Sequence, residues 1–384
     1  MKKICLLGAS GSIGEQSLDV IDEFSNEFQL VSFSVGYQVN KIDEIISKHN
    51  SVQSFYLIDS SQAEKYKNKY PNIKIFSGEN GIVKMIETIN ADMVINALVG
   101  FVGLIPSITA LKNGLKLALA NKESLVVGGE LIKQLLKEGH GELFPIDSEH
   151  SAIWKCLLVD DKNVKDIILT ASGGAFRNLS RKELLNVKPI DALKHPTWNM
   201  GNKITIDSAT MINKCFEIIE AYYLFGYAYN KTKVILHDES EVHSMVKYKN
   251  GMYRAEVNKP DMKNPIRFAL FEGKFPFETV CAKNYHDFGP YHFHHFSLRR
   301  YPLVRWSKVV IKQKGLYGTT LNAANEVAVN AFLNGKIQFL KIEQIVDRLM
   351  LDLKNKKNPS IEDIVECDRI TRLRASQLVE LGDK

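Results

Sequence analysis

Acidic, hydroxyl and basic residues crowd into two short stretches, Pro145-Ile146-Asp147-Ser148-Glu149-His150 and Ile206-Asp207-Ser208-Ala209-Thr210-Met211-Ile212-Asn213-Lys214-Cys215-Phe216-Glu217. On an extended backbone continuing from Glu142-Leu143-Phe144, Asp147 and Glu149 point to one face and Ser148 to the other. Two carboxylates on one face repel unless a cation joins them. Oxygen ligands of this kind suit Mg²⁺ or Mn²⁺, whereas zinc favours His and Cys. Glu217 is a candidate third carboxylate, a few turns into a helix whose predicted cap is Asp207 or Ser208. Ser208, Asn213 and Lys214 are placed to hold an anion there. Each feature also has a plain reading: an Asp-x-Glu pair at a strand end is commonly solvated loop, Ser208 a cap, Asn213 a helix-surface residue and Lys214 an exposed lysine.

The elements that must position these groups begin with Ile4-Cys5-Leu6-Leu7-Gly8-Ala9-Ser10-Gly11-Ser12-Ile13-Gly14, an apolar strand entering a glycine-rich turn, followed by an amphipathic segment from Glu15 to Phe24. Such a turn lets a pyrophosphate approach the backbone at a helix N-terminus, although the spacing is G-x-x-G-x-x-G and not G-x-G-x-x-G. Apolar runs at 30–35, 55–58, 73–76, 93–98, 115–120 and 142–146 alternate with helical-period segments and predict a mostly parallel sheet. The expected fold is α/β, with an N-terminal Rossmann-type parallel sheet, an α+β catalytic domain and a C-terminal helical bundle. After the second strand the chain reads Gly36-Tyr37-Gln38-Val39-Asn40-Lys41, without the acid that an NAD-specific protein offers to the ribose 2′-hydroxyl. That favours NADP; in the alternative, Asp43 or Glu44 does the job from the next helix. Beyond Trp306 the apolar spacing is helical and carries no chemical cluster, which predicts a supporting bundle.

Composition fits an enzyme with an ample core: 384 residues, 45% hydrophobic, and no run approaching a membrane span. Met1-Lys2-Lys3 ahead of Ile4–Leu7 imitates a signal peptide, but the glycine turn ends the run too early, so a cytoplasmic location is expected. Five scattered cysteines without C-x-x-C spacing point to reduced thiols. The net charge of +6 comes from lysines spread along the chain and not from a stripe interleaved with aromatics. It therefore predicts no nucleic-acid partner, and a basic pocket for a phosphorylated substrate suffices.

Taken in order, Gly8 to Gly14, Asn121-Lys122-Glu123, Asp147-Ser148-Glu149, Ala171-Ser172-Gly173-Gly174-Ala175-Phe176, His195-Pro196-Thr197-Trp198-Asn199-Met200-Gly201, Asp207 to Lys214, His243-Ser244-Met245-Val246, Pro260-Asp261-Met262 and Asn322-Ala323-Ala324-Asn325-Glu326-Val327 resemble the 1-deoxy-D-xylulose 5-phosphate reductoisomerase family over nearly the whole chain. The resemblance implies an enzyme that uses NADPH and one divalent cation (Mn²⁺, Mg²⁺ or Co²⁺) to rearrange this phosphosugar and reduce it to 2-C-methyl-D-erythritol 4-phosphate, for isoprenoid synthesis. It further implies that Asp147, Glu149 and Glu217 bind the metal. Ser172, Ser208, Asn213 and Lys214 would hold the substrate phosphate with help from His195, while Ser148 and Lys122 contact the sugar oxygens. The cofactor residues it implies are Ser10, Gly11, Ser12 and Ile13 in the first turn, Gly36, Tyr37 and Gln38 after the second strand, and Asn121, Glu123 and Gly201. The family's homodimer would be built on the middle domain.

The expected boundaries are 1–146 for the NADPH-binding domain, 147–275 for the catalytic domain, 276–305 for a linker and 306–384 for the helical domain. Within the catalytic domain, residues 188–201 carry Pro189, Pro196 and Gly201 around His195 and Trp198, a composition suited to a lid with Trp198 as its apolar cover. This chain departs from the family in Tyr37-Gln38, where Lys-Asn is common, in Ala175, where proline is usual, and in the stretch Tyr285 to Arg300 with His286, His292, His294 and His295. Alternation in Tyr291-His292-Phe293-His294 suits a surface strand or linker better than a second metal site. A plain NADP-dependent dehydrogenase and a non-catalytic nucleotide sensor stay open as alternatives. Neither needs the carboxylate trio.

Overall fold

The computed structural model of the chain describes residues 1–193, 198, 200–274 and 289–381. Two compact units emerge. The first comprises Met1–Ser124, Leu131–Asp147 and Asp261–Phe275; the second comprises Leu125–Glu130, Ser148–Pro260 and Pro276–Lys384.

In the first unit, β1 (Lys2–Leu7), α1 (Ser12–Glu23), β2 (Phe28–Val35), α2 (Lys41–Lys48), β3 (Ser54–Leu57), α3 (Ser60–Lys69), β4 (Lys74–Ser77), α4 (Gly81–Thr88), β5 (Met93–Asn96), α5 (Leu104–Lys112), β6 (Lys116–Leu119), α6 (Lys122–Lys137) and β7 (Glu142–Pro145) alternate. The strands form a parallel sheet in the order β4-β3-β2-β1-β5-β6-β7. Continuous apolar runs such as Ile4–Leu7 are fully buried, as strands covered by helices on both faces require. Strand order reverses at β1, so the crevice beyond the ends of β1 and β5 is where an open α/β sheet binds its ligand. The glycine turn sits there.

The second unit takes in Leu125–Glu130 from the middle of α6 and then runs through α7 (Ser148–Leu157), β8 (Val164–Ala171), α8 (Pro189–Ala192), α9 (Asn202–Thr210), α10 (Ile212–Phe225), β9 (Thr232–His237), β10 (Val242–Tyr248) and β11 (Tyr253–Val257). Helix α11 (Lys263–Leu270) belongs to the first unit, where Lys263 and Arg267 pair with Asp19 and Glu23 of α1 at 2.7 and 2.6 Å. Then come β12 (Phe293–His295), α12 (Arg305–Gln313), α13 (Tyr317–Leu333), α14 (Phe339–Asp352) and α15 (Ile361–Glu380). The second sheet is mixed, in the order β11-β10-β8-β9-β12, with β8 and β9 parallel. Ile167 and Leu169 of this sheet, Phe216 of α10, and Phe332 and Phe339 of the C-terminal helices share one buried core. The C-terminal helices therefore buttress α10 directly.

Two local expectations are corrected. Ser148-Glu149 is not extended: it opens α7, where Glu149 in the first turn is favoured by the helix dipole. Nor do Asp207 and Ser208 cap a helix, because both lie inside α9, which starts after Gly201. Met211, in the left-handed region at φ 61°, ends α9 and starts α10. Methionine carries no breaker signal, so this joint is invisible in the sequence; a non-glycine residue so placed stores strain of about 1 kcal/mol or more.

Candidate active site

In the first unit the glycine turn is shaped by backbone contact. Gly8 takes φ +82°, and a Cβ on Gly14 would lie 2.1 Å from the Gly8 carbonyl oxygen, so neither position admits a side chain without backbone movement. The turn is tied to the end of β2: Gly8 N–H donates to Ser34 Oγ at 2.9 Å and Ala9 N–H to the Ser34 carbonyl at 2.8 Å. Gly11 and Ser12 are exposed, Ser10 and Ile13 half-buried, and Gly11 leads into α1 with no side-chain cap on its first-turn N–H groups. At the end of β2, Gly36 is half-buried while Tyr37 and Gln38 are exposed. The acids considered as ribose ligands are committed elsewhere. Asp43 accepts from Lys69 and Tyr70, both at 2.7 Å, and Glu44 pairs with Lys41 and Lys48 at 3.5 and 3.1 Å. Those bonds hold both carboxyls below their ordinary pKa, the Lys69 bond leading for Asp43 and the Lys48 bond for Glu44.

Asn121 caps α6, its amide donating to the Leu98 and Gly100 carbonyls at 2.9 Å each and to Glu123 at 3.2 Å, while Oδ1 accepts from Ser124 N–H at 3.0 Å. Lys122 follows in the first helical turn, where the dipole disfavours a cation. It is buried, and its ammonium donates to Asp147 Oδ2 at 2.5 Å. The lysine set against the helix dipole is thus neutralised by a buried acid.

The second unit repeats the device. Lys214, again in a helix first turn and 3% exposed, donates to Glu149 Oε1 at 2.9 Å and to Glu217 Oε2. Ser148 Oγ donates to Glu149 Oε2 at 2.6 Å, and Asn213 Nδ2 to Glu217 Oε1 at 2.5 Å. Burial alone would lower the pKa of Lys214; the two carboxylates outweigh it and hold the ammonium above the usual lysine value. Thus Ser148, Glu149, Asn213, Lys214 and Glu217 form one connected polar cluster on α7 and α10. Asp147 ends the Leu131–Asp147 segment of the first unit and precedes Ser148 and Glu149 in the chain.

Beside this cluster, Gly174 (φ +71°) brings the loop after β8 against α9: a Cβ there would sit 2.6 Å from Ala209 Cα and 2.7 Å from the Ser208 carbonyl oxygen. Ser172, whose Oγ accepts from Gly174 N–H at 3.2 Å, and Ser208 therefore belong to adjoining backbone segments. Gly201 is exposed at the start of α9, and the Trp198 ring lies 6.0 Å from that of His243. His195 lies outside the described residues.

Sequence reasoning missed four supports, His150, Glu220, Lys203 and Asn325. His150 Nε2 contacts the Glu217 carbonyl oxygen at 2.9 Å, and its Nδ1 lies 3.7 Å from buried Glu220, one turn beyond Glu217. Buried Asp207 accepts from Lys203 at 2.7 Å and from Asn325 of α13 at 2.8 Å, tying α9 to the C-terminal helices. Helical spacing signals Glu220 and Lys203, but nothing local signals Asn325. Of the histidine-rich stretch, Phe293–His295 forms an exposed edge strand on β9, with His292 bonded to Glu239 at 2.6 Å and His294 to Asp238 at 2.9 Å. His286 lies outside the described residues.

Comparison with known proteins gives the same picture along the chain. Family models described as 1-deoxy-D-xylulose 5-phosphate reductoisomerase, its C-terminal domain, and the DXP reductoisomerase C-terminal domain match residues 4–129, 143–225 and 257–374. Proteins named 1-deoxy-D-xylulose 5-phosphate reductoisomerase are 41% identical in Listeria innocua serovar 6a, covering 99% of this chain and 100% of the relative, and 43% identical in an Exiguobacterium strain, covering 100% of both. A crystal structure of DOX-P reductoisomerase in complex with NADPH, fosmidomycin and magnesium superposes with a TM-score of 0.92 at 30% identity, covering 100% of both chains. The Zymomonas mobilis enzyme in complex with NADPH gives 0.90 at 34% identity and 99% coverage of both. From the glycine turn at the sheet's switch point to the buried acid–lysine cluster and the helices behind it, this chain belongs to the 1-deoxy-D-xylulose 5-phosphate reductoisomerase family.

Proposed function

We infer that the chain rearranges 1-deoxy-D-xylulose 5-phosphate and reduces the product with NADPH to 2-C-methyl-D-erythritol 4-phosphate, in isoprenoid precursor synthesis. The observation that carries this reading is the buried cluster in which Glu149 and Glu217 converge on one cation, the Lys214 ammonium. Two carboxylates so arranged suit a divalent ion with hard oxygen ligands, Mg²⁺, Mn²⁺ or Co²⁺. In this reading Asp147, Glu149 and Glu217 hold that ion. When bound, the cation would supply charge stabilisation to the substrate's developing oxyanion and NADPH would supply the hydride.

The remaining roles fall to the chain's own residues. Ser172, Ser208, Asn213 and Lys214 hold the phosphate, with His195 and Trp198 acting from the 188–201 lid. Ser148 and Lys122 orient the sugar oxygens. Ser10, Gly11, Ser12, Ile13, Gly36, Tyr37, Gln38, Asn121, Glu123 and Gly201 bind NADPH. The division of labour is 1–146 for cofactor, 147–275 for chemistry, 276–305 as linker and 306–384 as support, although Asp261–Phe275 groups in space with the first unit. Among the described residues no helix is long and apolar enough to cross a membrane, and a cytoplasmic homodimer is proposed.

The test is loss of NADPH absorbance with 1-deoxy-D-xylulose 5-phosphate, in Mn²⁺ or Mg²⁺ and then in EDTA. Metal-dependent oxidation is expected. No oxidation would point to another phosphosugar, and oxidation indifferent to EDTA would favour a plain dehydrogenase.

A further inference from the structure

We propose that Lys214 is the internal counter-ion of the metal-binding carboxylates: its ammonium and the divalent cation compete for Glu149 and Glu217, so that loading the cation releases Lys214 to the anionic substrate. This rests on the assignment of Glu149 and Glu217 as metal ligands.

Three features of the cluster support it. Lys214 reaches Glu149 Oε1 at 2.9 Å and Glu217 Oε2, while the remaining oxygens of the two carboxylates accept from Ser148 at 2.6 Å and from Asn213 at 2.5 Å. The donors suited to a phosphosugar are thus turned onto the acids suited to a cation, and neither set is fully available while the other is satisfied internally. The charges come next. Two carboxylates and one ammonium leave a net negative charge in a buried site, whereas a divalent ion balances both acids and repels the ammonium beside it. Finally, Lys214 stands in the first turn of α10, where the dipole disfavours a cation. Its hold on that position depends on Glu149 and Glu217. Once their charge is neutralised, an anion on the substrate becomes its better partner. Cation and substrate anion then bind with positive coupling, each strengthening the other by the same factor.

The experiment measures Mn²⁺ binding to the full chain by electron paramagnetic resonance of the free ion, without substrate, in the wild type, Lys214→Gln and Glu217→Gln. Lys214→Gln is expected to bind Mn²⁺ about tenfold to a hundredfold more tightly, because each charge-assisted hydrogen bond the ion no longer displaces is worth about a tenfold factor. In EDTA the same variant melts below the wild type, and Mn²⁺ raises its melting temperature by more than it raises that of the wild type. Unchanged Mn²⁺ affinity in Lys214→Gln, together with lost affinity in Glu217→Gln, overturns the proposal and leaves the metal site standing. Wild-type affinity in Glu217→Gln overturns both. Should Lys214→Gln not fold, acetylation of Lys214 in the wild type decides. Its amine should react faster with acetic anhydride in Mn²⁺ than in EDTA, and equal rates in the two overturn the proposal.

Discussion

Gly174→Ala tests whether the loop carrying Ser172 and the helix carrying Ser208 are held together by backbone contact. The new Cβ would lie 2.6–2.7 Å from Ala209 Cα and N and from the Ser208 carbonyl oxygen, all main-chain atoms that cannot turn aside as a side chain does. The left-handed φ of +71° adds about 1–2 kcal/mol for a residue with a Cβ, and relief of the overlap adds about 1–3 kcal/mol, so a loss of about 2–5 kcal/mol is expected. Gly226→Ala is the matched control: its φ is +73°, but nothing lies within 4 Å of the new atom, so only the left-handed cost of about 1–2 kcal/mol should be lost. The three tryptophans, Trp154, Trp198 and Trp306, all belong to the second unit, so fluorescence during urea unfolding reports on the unit that contains both glycines. Movement of α9 should also raise the KM for the phosphosugar in Gly174→Ala and leave it unchanged in Gly226→Ala. Equal losses in the two variants, or a wild-type KM in Gly174→Ala, would refute the packing argument.

Glu149→Gln should abolish turnover while NADPH binding, followed by fluorescence titration, stays at the wild-type level; normal turnover would sink the metal assignment. Gly14→Ala places a Cβ 2.1 Å from the Gly8 carbonyl oxygen and should weaken NADPH binding by about tenfold to a hundredfold in the same titration. The β9–β12 edge should depend on pH from both sides. Burial alone would raise the pKa of Glu239, but hydrogen bonds from the His292 side chain and backbone outweigh it and bring the carboxyl down to about 2, while the Glu239 bond raises His292 above 6.5. A depressed carboxyl stabilises fully above its unfolded value of 4.5 and loses that effect as pH falls toward about 2. A raised histidine stabilises fully below 6.5 and loses its effect as pH rises through its folded value. Amide protection of Phe293–His295, corrected for intrinsic exchange, should therefore be greatest between 4.5 and 6.5 and be flattened by Glu239→Gln.

The amino-acid sequence by itself determined those features that follow from local pattern. Buried parallel strands need continuous apolar runs, and a tight strand-to-helix turn needs glycines; both are written in consecutive residues, so the first sheet and its glycine turn were legible from Ile4 to Ile146. The family followed from ordered motifs, which carried the acids, the hydroxyls and Lys214 with them. Tertiary structure alone decided what those side chains face. Helical spacing accounts for Asn213 and Lys214 meeting Glu217, but no spacing rule tells that Lys214 also reaches Glu149, 65 residues away, that the Met211 joint splits one predicted helix into two, or that Asn325, 118 residues away, bonds to Asp207. Nor does contiguity reveal that α11 packs with α1, where Phe271 meets Phe24 and Phe28 edge-on and Lys263 and Arg267 pair with Asp19 and Glu23. Local propensity acts over a few residues, whereas a buried charge is satisfied by whatever partner the folded chain brings within hydrogen-bonding distance.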